Sequence, residues 1–310
     1  MFSLFAFLFR IIFDLFKSKK ELIVQIHLHK KEIENRKRLI MRRPVVLLAK
    51  QSICTLFMFI LLAFLPITSF SQSFSFVTTS DQREYAGEGI YDTSSYYRGA
   101  IEALASVGPG EFMVVIGDMD PVYGTNWTIE QVLGTDYIWY PVVGNHELPY
   151  AGNEDYPGSN MDYVREMNPN GTTLPNIVNP GPSGAVETCY SFDYANCHFI
   201  VINEYYDGDS DVGTDGDITD ALYNWLAADL AATSQTHIFI FGHEPGYPQP
   251  DVDTGRIRHE YDSLNQYPEN LTRFWQLMSN YGVLAFLAGH THNYSLYNLD
   301  DVWQIETGHT

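Results

Sequence analysis

The chain has 310 residues, and 45% of them are hydrophobic, so it can bury a sizeable core and is not globally disordered. Its net charge of −20 is unevenly distributed, since 12 of the 18 basic residues lie within residues 1–50. From Gln72 onward only six arginines oppose 34 acidic residues, which gives a net charge of −28. Such an acidic body excludes a stable nucleic-acid partner, because binding a phosphate backbone requires cationic contacts.

The basic and apolar N-terminus is typical of processing sequence. Residues 41–71 contain two arginines, an apolar run from Ile53 to Leu65 and small residues ending at Ser71, which is the pattern of a secretory signal peptide. We predict a secreted or periplasmic protein that has no membrane contact after cleavage. The apolar run is short for a membrane span, and an uncleaved membrane anchor is the alternative. Residues 1–40 are interpreted as a mis-assigned or non-native extension that precedes Met41.

Residues 72–310 form the predicted domain, in which apolar runs alternate between strand and helix patterns. In chain order the patterns predict a strand over 74–79, a helix over 94–107, a strand over 112–116, a short helix over 128–133, a strand over 137–143, a long surface loop over 149–186 with one helical turn at 161–167, a hairpin, a helix over 219–232, a strand over 237–241, a helix over 271–281, and strands over 283–287 and 302–305. This alternation favours an α/β fold. The domain is either complete at Thr310 or truncated there.

Several predicted strands end directly in residues that carry chemistry. They lead into Asp81, Asp118, Asn145-His146, His243 and His290-Thr291-His292. In α/β sheets ligands bind at the carboxyl ends of the strands. Glycines just before many of these residues let the backbone turn sharply and approach closely. The pattern therefore predicts that these side chains share one site.

The residue types in this set are those that hold Zn, Mn or Fe. A carboxylate can bridge two cations, and an amide oxygen and imidazoles can complete each coordination shell without adding negative charge. Two cations roughly 3.5–4 Å apart clamp a phosphate ester and generate a hydroxide nucleophile at neutral pH. We therefore predict one or two divalent or trivalent metal ions and a small phosphate-ester substrate.

The order of the motifs resembles that of the calcineurin-like metallophosphoesterase superfamily, which includes purple acid phosphatases. The motifs are Gly117-Asp118, Gly144-Asn145-His146-Glu147, His243 and Gly289-His290-Thr291-His292. The resemblance spans residues 74–310. It implies a two-sheet β-sandwich flanked by helices, with metal ligands at strand ends, and an enzyme that hydrolyses phosphate mono- or diesters.

The resemblance also implies a role for each residue of the set. Asp118 would bridge both metal ions. The remaining ligands would be divided between the first metal, held by Asp81 and His292, and the second metal, held by Asn145, His243 and His290. His146 would stabilise the transition state or protonate the leaving group.

One motif departs from the family pattern. The family's first motif is Asp-x-His, but here it is Asp81-Gln82-Arg83, and arginine cannot ligate a metal because it stays protonated. Asp120 or Tyr123 could replace the missing ligand. Arg83 would then either contact the substrate phosphate through two hydrogen bonds or form a salt bridge. The alternative function is a metal- or phosphate-binding pseudoenzyme with a single metal site and no turnover.

Two further patterns have simpler interpretations. A hairpin turn at Ala195-Asn196 pairs Cys197 with Tyr194 and keeps Cys189 distant, which predicts two free thiols. The acidic run over 207–220 alternates carboxylates as calcium loops do, but it lacks the glycine that an EF-hand requires at its sixth position. We interpret this run as a solvated loop that caps the following helix, with calcium binding as the alternative.

Overall fold

Two β-sheets pack face to face in the computed structural model, which describes residues 73–149, 159–213 and 215–309. The strands are β1 (Val77–Thr79), β2 (Met113–Ile116), β3 (Trp139–Val142), β4 (Ile177–Pro180), β5 (Tyr190–Tyr194), β6 (Cys197–Val201), β7 (His237–Phe241), β8 (Ala285–Ala288), β9 (Tyr294–Leu299) and β10 (Val302–Thr307). The α-helices are α1 (Tyr97–Val107), α2 (Val122–Leu133), α3 (Asn160–Met167), α4 (Asp220–Ala232) and α5 (Pro268–Tyr281). The predicted extension over 1–40 and signal peptide over 41–71 lie outside the described residues.

The first sheet has three parallel strands in the order β1-β2-β3. The second sheet has seven strands in the order β4-β5-β6-β7-β8-β10-β9, and β6, β7, β8 and β10 run parallel. Because parallel strands share a direction, their carboxyl ends meet at one edge of each sheet. No helix in the described part of the chain combines the length and the apolar character needed to cross a membrane.

Aromatic side chains fill the space between the two sheets. Phe112 and Tyr140 from the first sheet pack against Phe192, Phe199 and Phe241 from the second, and all five are fully buried. The rings of Tyr140 and Phe192 stack with their centroids 3.8 Å apart. Rings of this size bury large apolar areas, so the contact fixes how one sheet sits on the other.

Helices cover the outer face of each sheet. Helices α1, α2 and α3 contribute apolar side chains to a cluster against the first sheet, and α4 and α5 do the same against the second. Strands β2 and β3 are covered on both faces and are buried at every position, which explains why they read as continuous apolar runs. The predicted two-sheet sandwich flanked by helices is confirmed.

Most predicted elements are confirmed, and the misses have local causes. Helix α2 begins at Val122, six positions earlier than predicted. Its first turns contain Gly124 and Thr125, and because these are weak helix formers the sequence pattern did not indicate a helix there. The predicted turn at 161–167 is an eight-residue helix with a capping box between Ser159 and Asp162. Strands β4 and β9 were not predicted, since they gain their conformation from pairing with β5 and β10.

The hairpin of β5 and β6 has the predicted register. Cys197 lies opposite Tyr194, and Cys189 and Cys197 are both free, as predicted. Both thiols are also buried. Burial raises the pKa of the Cys189 thiol to about 12, and the backbone N–H of Asn203 donates to its sulfur over 3.3 Å. Cys189 is therefore an inert packing residue and not a reactive thiol.

A buried histidine joins this hairpin to helix α4. The two ring nitrogens of His198 lie 2.7 Å from the carboxylate of Asp193 and 2.9 Å from that of Asp229. Ser191 and Asn179 also donate to Asp229, so both carboxylates have defined partners. Burial opposes the charge on His198, but the two carboxylates outweigh it and raise the pKa of this histidine above its usual value.

The His198 cluster predicts a pH-dependent contribution to stability. Because the folded-state pKa is raised, the stabilisation is complete below about pH 6.5, the unfolded value, and is lost as pH rises through the folded value. His198→Phe should lower the free energy of unfolding by about 3 kcal/mol at pH 6, because it leaves two carboxylates without a cation. The difference from wild type should shrink toward pH 9.

Urea unfolding at both pH values measures this difference. His237→Phe, at the start of β7 on the same sheet, serves as the matched control. A difference for His198→Phe that grew with pH would contradict the ion-pair account.

Candidate metal centre

The carboxyl ends of five strands meet at one edge of the sandwich. Strands β1, β2 and β3 lead into Asp81, Asp118 and Asn145, and β7 and β8 lead into His243 and His290. The two sheets thus contribute opposite walls of one site. The structure brings together the side chains of all six candidate ligands.

The first group of candidate ligands consists of Asp81, Asp118 and His292, whose ligand atoms lie within 4.8 Å of one another. The Nε2 atom of His292 is 3.5 Å from Asp81 Oδ1. Asp81 is fully buried, and burial together with the nearby Asp118 carboxylate raises its pKa well above the usual value. Two enclosed carboxylates that repel one another in this way are stabilised by a cation between them.

The second group consists of Asn145, His243 and His290, with Asp118 beside them. Nδ1–H of His243 donates to the Ile116 carbonyl over 2.9 Å, so Nε2 presents a lone pair. This Nε2 lies 3.2 Å from Asn145 Oδ1 and 3.3 Å from Asp118 Oδ1. Three electron-donating atoms therefore converge with no proton between them.

His290 completes this second group in the same manner. Its Nε2–H donates to the Asp262 carbonyl over 3.0 Å, which leaves the Nδ1 lone pair facing Asn145 Oδ1 at 3.2 Å. Burial lowers the pKa of His243 and lowers that of His290 well below the usual value. Both imidazoles are thus neutral donors, and the donor set fits a transition-metal cation such as Zn, Mn or Fe.

The backbone at the site is held in a conformation that side chains rarely adopt. Asp81, Asp118, His290 and His292 have φ values of 57°, 55°, 67° and 57°, in the left-handed region. Each such residue costs roughly 1–3 kcal/mol and persists only where its surroundings enforce it. Gly289 allows the close approach, since a Cβ there would lie 2.7 Å from Asp81 Oδ2.

Two buried glutamates hold the loops that carry the ligands. The Glu147 carboxylate accepts hydrogen bonds from the backbone N–H groups of Gly144, Met119 and Asp118, at 2.6, 2.7 and 3.0 Å. Glu204 accepts from the N–H groups of His243 and of the residue after it. Both glutamates therefore hold the backbone of the candidate ligands in place.

His146 lies at the rim of the site and is partly exposed. Its Nε2 is 4.0 Å from Asp118 Oδ2, and its Nδ1 is 3.8 Å from Asp120 Oδ2. The backbone N–H of His146 donates to Asp118 Oδ1 over 3.0 Å. The imidazole is therefore beside the candidate ligands without belonging to either group.

The two candidate replacements for the missing ligand do not join the first group. Asp120 lies beside His146, and the Tyr123 hydroxyl donates to Glu88 over 3.1 Å. Arg83 forms no salt bridge among the described residues, and its buried Nε has no hydrogen-bond partner there. The salt-bridge interpretation of Arg83 therefore finds no support in the described part of the chain.

Four further residues at the site were not predicted from the sequence. Arg258 lies close to both Asp81 and His292. Burial first and the charge of Arg258 second lower the pKa of His292 to about 4, and the same charge partly opposes the rise in the pKa of Asp81. His259 packs on His290 with ring centroids 4.0 Å apart, and Asp262 and His309 also border the site. Arg258, His259 and Asp262 lie on an irregular loop, where no strand pattern marked them. His309 lies two residues after the end of β10, and this position after a strand is the sequence signal that could have identified it as a site residue.

His259, Asp262 and His290 form another group whose atoms could hold a metal ion. His290 cannot serve this group and the Asn145 group together, because its Nε2–H is engaged with the Asp262 carbonyl.

The carboxylates of the acidic run over 207–220 have partners other than a metal ion. Asp207 accepts from two nearby backbone N–H groups, Arg165 pairs with Asp211, and Thr219 caps α4 as predicted. The metal-ligand groups among the described residues include none of that run.

The family model for calcineurin-like phosphoesterases matches residues 90–294. The chain belongs to this family. It is therefore a metal-dependent phosphoric ester hydrolase, and the clustered Asp, Asn and His side chains agree with that assignment. The match begins after Asp81 and Arg83, so the departure at the first motif lies outside it. A search of curated proteins found no match to this sequence.

Solved structures resemble the chain only distantly. GAP50, described as the anchor in the inner membrane complex of Plasmodium, is 14% identical with a TM-score of 0.44, over 74% of this chain and 70% of its own. PhoD is 13% identical with a TM-score of 0.46, and the alignment covers 75% of this chain and 55% of PhoD. The phosphopantetheinyl hydrolase PptH from Mycobacterium tuberculosis is 16% identical with a TM-score of 0.45, and the alignment covers 76% of this chain and 89% of PptH. The family assignment thus depends on the sequence match and not on these likenesses.

The hydrogen bonds of Glu147 predict a role in metal affinity. Glu147→Gln leaves one oxygen to accept three backbone N–H groups, so the loops carrying Asp118 and Asn145 should loosen. Metal affinity should fall by about 10–100-fold, the usual cost of removing such a supporting group. Metal titration followed by calorimetry measures the change. The control is Glu166→Gln on the exposed side of α3, and equal metal affinity in a folded Glu147→Gln would contradict the role.

Proposed function

We propose that this chain is a secreted phosphoesterase that hydrolyses phosphate mono- or diesters at two adjacent metal positions. The observation that carries the proposal is the convergence of carboxylate, amide and imidazole donor atoms from five strand ends. Asp118 would bridge the two metals. The first metal would also be bound by Asp81 and His292, and the second metal would be bound by Asn145, His243 and His290. Bound there, Zn, Mn or Fe would neutralise phosphate charge and supply a nucleophilic water at neutral pH.

The residues around these ligands have distinct tasks in the proposed reaction. Hydrolysis breaks the bond between phosphorus and the ester oxygen, and that oxygen must gain a proton. His146 is suited to donate it, because its imidazole is at the rim, beside Asp118 and partly exposed to solvent. Arg83 would hold the phosphate through its guanidinium, since its buried Nε lacks a hydrogen-bond partner in the described part of the chain.

A pseudoenzyme with a single metal and no turnover is the second candidate. It is favoured by the replacement of the Asp-x-His histidine by Arg83, which leaves three side chains in the first group. Against it stands His146, since a binding protein has no chemical need for an imidazole at that position. Hydrolysis of an aryl phosphate monoester or diester by metal-replete protein separates the two candidates.

Secretion rests on the pattern within residues 41–71 and on the acidic body that follows it. A soluble exported enzyme would act on small phosphate esters outside the cytoplasm. The N-terminal residue of protein isolated from the producing cells provides the test. Gln72 at the N-terminus supports signal cleavage, and retention of residues 41–71 supports a membrane anchor.

The proposed roles separate a ligand from a proton donor. His290→Ala should lose metal and activity together. His146→Ala should keep its metal content, while kcat falls by roughly 10²–10⁴-fold. Elemental analysis and hydrolysis of aryl phosphate mono- and diesters give both quantities, with His237→Ala as the control. Full metal content in His290→Ala would refute its assignment as a ligand, and an unchanged kcat in His146→Ala would refute the proton donor.

Arg83→His distinguishes the two roles that remain for Arg83. If the guanidinium holds the phosphate, KM should rise roughly tenfold or more, because a charged hydrogen bond to an anion is lost. If Arg83 only weakens the first metal site, the new imidazole should raise metal content and leave KM unchanged. The control is Arg98→His, since Arg98 pairs with Asp92 and Glu102 on α1, away from the ligands. An unchanged KM with higher metal content would defeat the phosphate contact.

A further inference from the structure

A cavity of about 290 Å³ opens beside the first group of ligands. Its lining consists of Tyr85, Ser95, Tyr96, Tyr97 and His309. None of these side chains is a carboxylate, a lysine or an arginine, so the cavity is suited to an uncharged group. A cavity of roughly 150 Å³ accommodates benzene, so this one has room for one or two planar rings.

His309 connects the cavity to the candidate metal centre. Its ring centroid is 5.0 Å from that of His292 on one side and 6.0 Å from that of Tyr85 on the other. The backbone before it is tied to the strand end that carries Asp81, since Ser80 donates to the Gly308 carbonyl over 2.5 Å. A ligand in the cavity would therefore be adjacent to a phosphate held at the metals.

The tyrosines of the cavity form an ordered aromatic wall. The rings of Tyr85 and Tyr96 are nearly parallel, with an interplanar angle of 14° and centroids 5.9 Å apart. The backbone N–H of Tyr97 donates to the Tyr85 carbonyl over 3.1 Å, which anchors Tyr85 to the start of α1. Tyr85 is nevertheless 41% exposed. A large exposed ring on an anchored backbone offers a face on which a planar ligand can stack.

We propose that this cavity binds the alcohol portion of the substrate, and that the preferred substrates are phosphate esters whose alcohol carries a planar aromatic group. This inference rests on the proposed function, because the phosphate must be held at the metal centre. Arg258 and Arg83 lie near His309 and His292, since the charge of each arginine lowers the pKa of both histidines. The cations would thus hold the phosphate while Tyr85 and Tyr96 stack on the ring.

Matched esters test this preference, because each pair has the same type of primary alcohol as leaving group. 3-Phenylpropyl phosphate is compared with propyl phosphate, and adenosine 5′-monophosphate with ribose 5-phosphate. In metal-replete wild type, kcat/KM should be at least about tenfold higher for the aromatic member, the usual scale for stacking on a tyrosine. The two pairs separate a nucleoside from a simple aryl alcohol.

Substitutions assign the preference to the cavity. The ratio between aromatic and aliphatic members should fall toward one in Tyr85→Ala and in Tyr96→Leu, and Tyr85→Phe should retain it. Tyr281→Ala removes a tyrosine of similar exposure, 40%, at the end of α5 and should leave the ratio as in wild type. Thermal unfolding of each variant verifies that it is folded.

Calorimetry with the non-hydrolysable phosphonates of the same esters keeps the inference independent of turnover. Tighter binding of aromatic phosphonates that is lost in Tyr85→Ala supports the cavity, even if no ester is hydrolysed and the proposed function fails. Equal binding of aromatic and aliphatic phosphonates by wild type would refute the proposal that the cavity binds an aromatic group, without contradicting the proposed phosphoesterase function. Failure of every phosphonate to bind the metal-replete protein overturns both.

Discussion

The structure depends on one electrostatic requirement, which is that buried carboxylate oxygens and imidazole lone pairs at the site need a cation between them. Asp81 and Asp118 are enclosed together, and the lone pairs of His243 and His290 face the same oxygen of Asn145. Without positive charge these atoms repel one another. The two packed sheets bring these atoms together at their strand ends, so the sandwich acts as a frame for metal binding.

The frame is rigid because the backbone itself is fixed at the site. Four candidate ligands have left-handed backbone conformations, and the carboxylates of Glu147 and Glu204 accept hydrogen bonds from the backbone N–H groups of Asp118 and His243. Interdigitated aromatic rings between the sheets prevent the opposite walls from separating. Local strain is thus balanced by packing elsewhere, as is usual where function sets the geometry.

The side of the site near His292 distinguishes this chain from the general pattern of its family. Arg83 stands where a ligand is expected, and Arg258 and His309 are close by. Guanidinium groups donate hydrogen bonds and cannot ligate a metal, so in the proposed function the two arginines attract the phosphate. The same side opens into the tyrosine-lined cavity, so charge and stacking surface are adjacent. Substrate choice is therefore expected to be decided there.

In the sequence by itself, the alternating apolar runs predicted an α/β fold, and the resemblance carried by the ordered motifs implied the sandwich and the six candidate ligands. Four of these six residues follow a glycine directly, whereas Asp81 follows Ser80 and His292 follows Thr291. Only the tertiary structure revealed Arg258 and His309. They occupy irregular segments whose path depends on packing, and no local pattern records which side chains such a path brings to a site. For the same reason β9 was missed, since its conformation is imposed by pairing with β10 and not by its own residues.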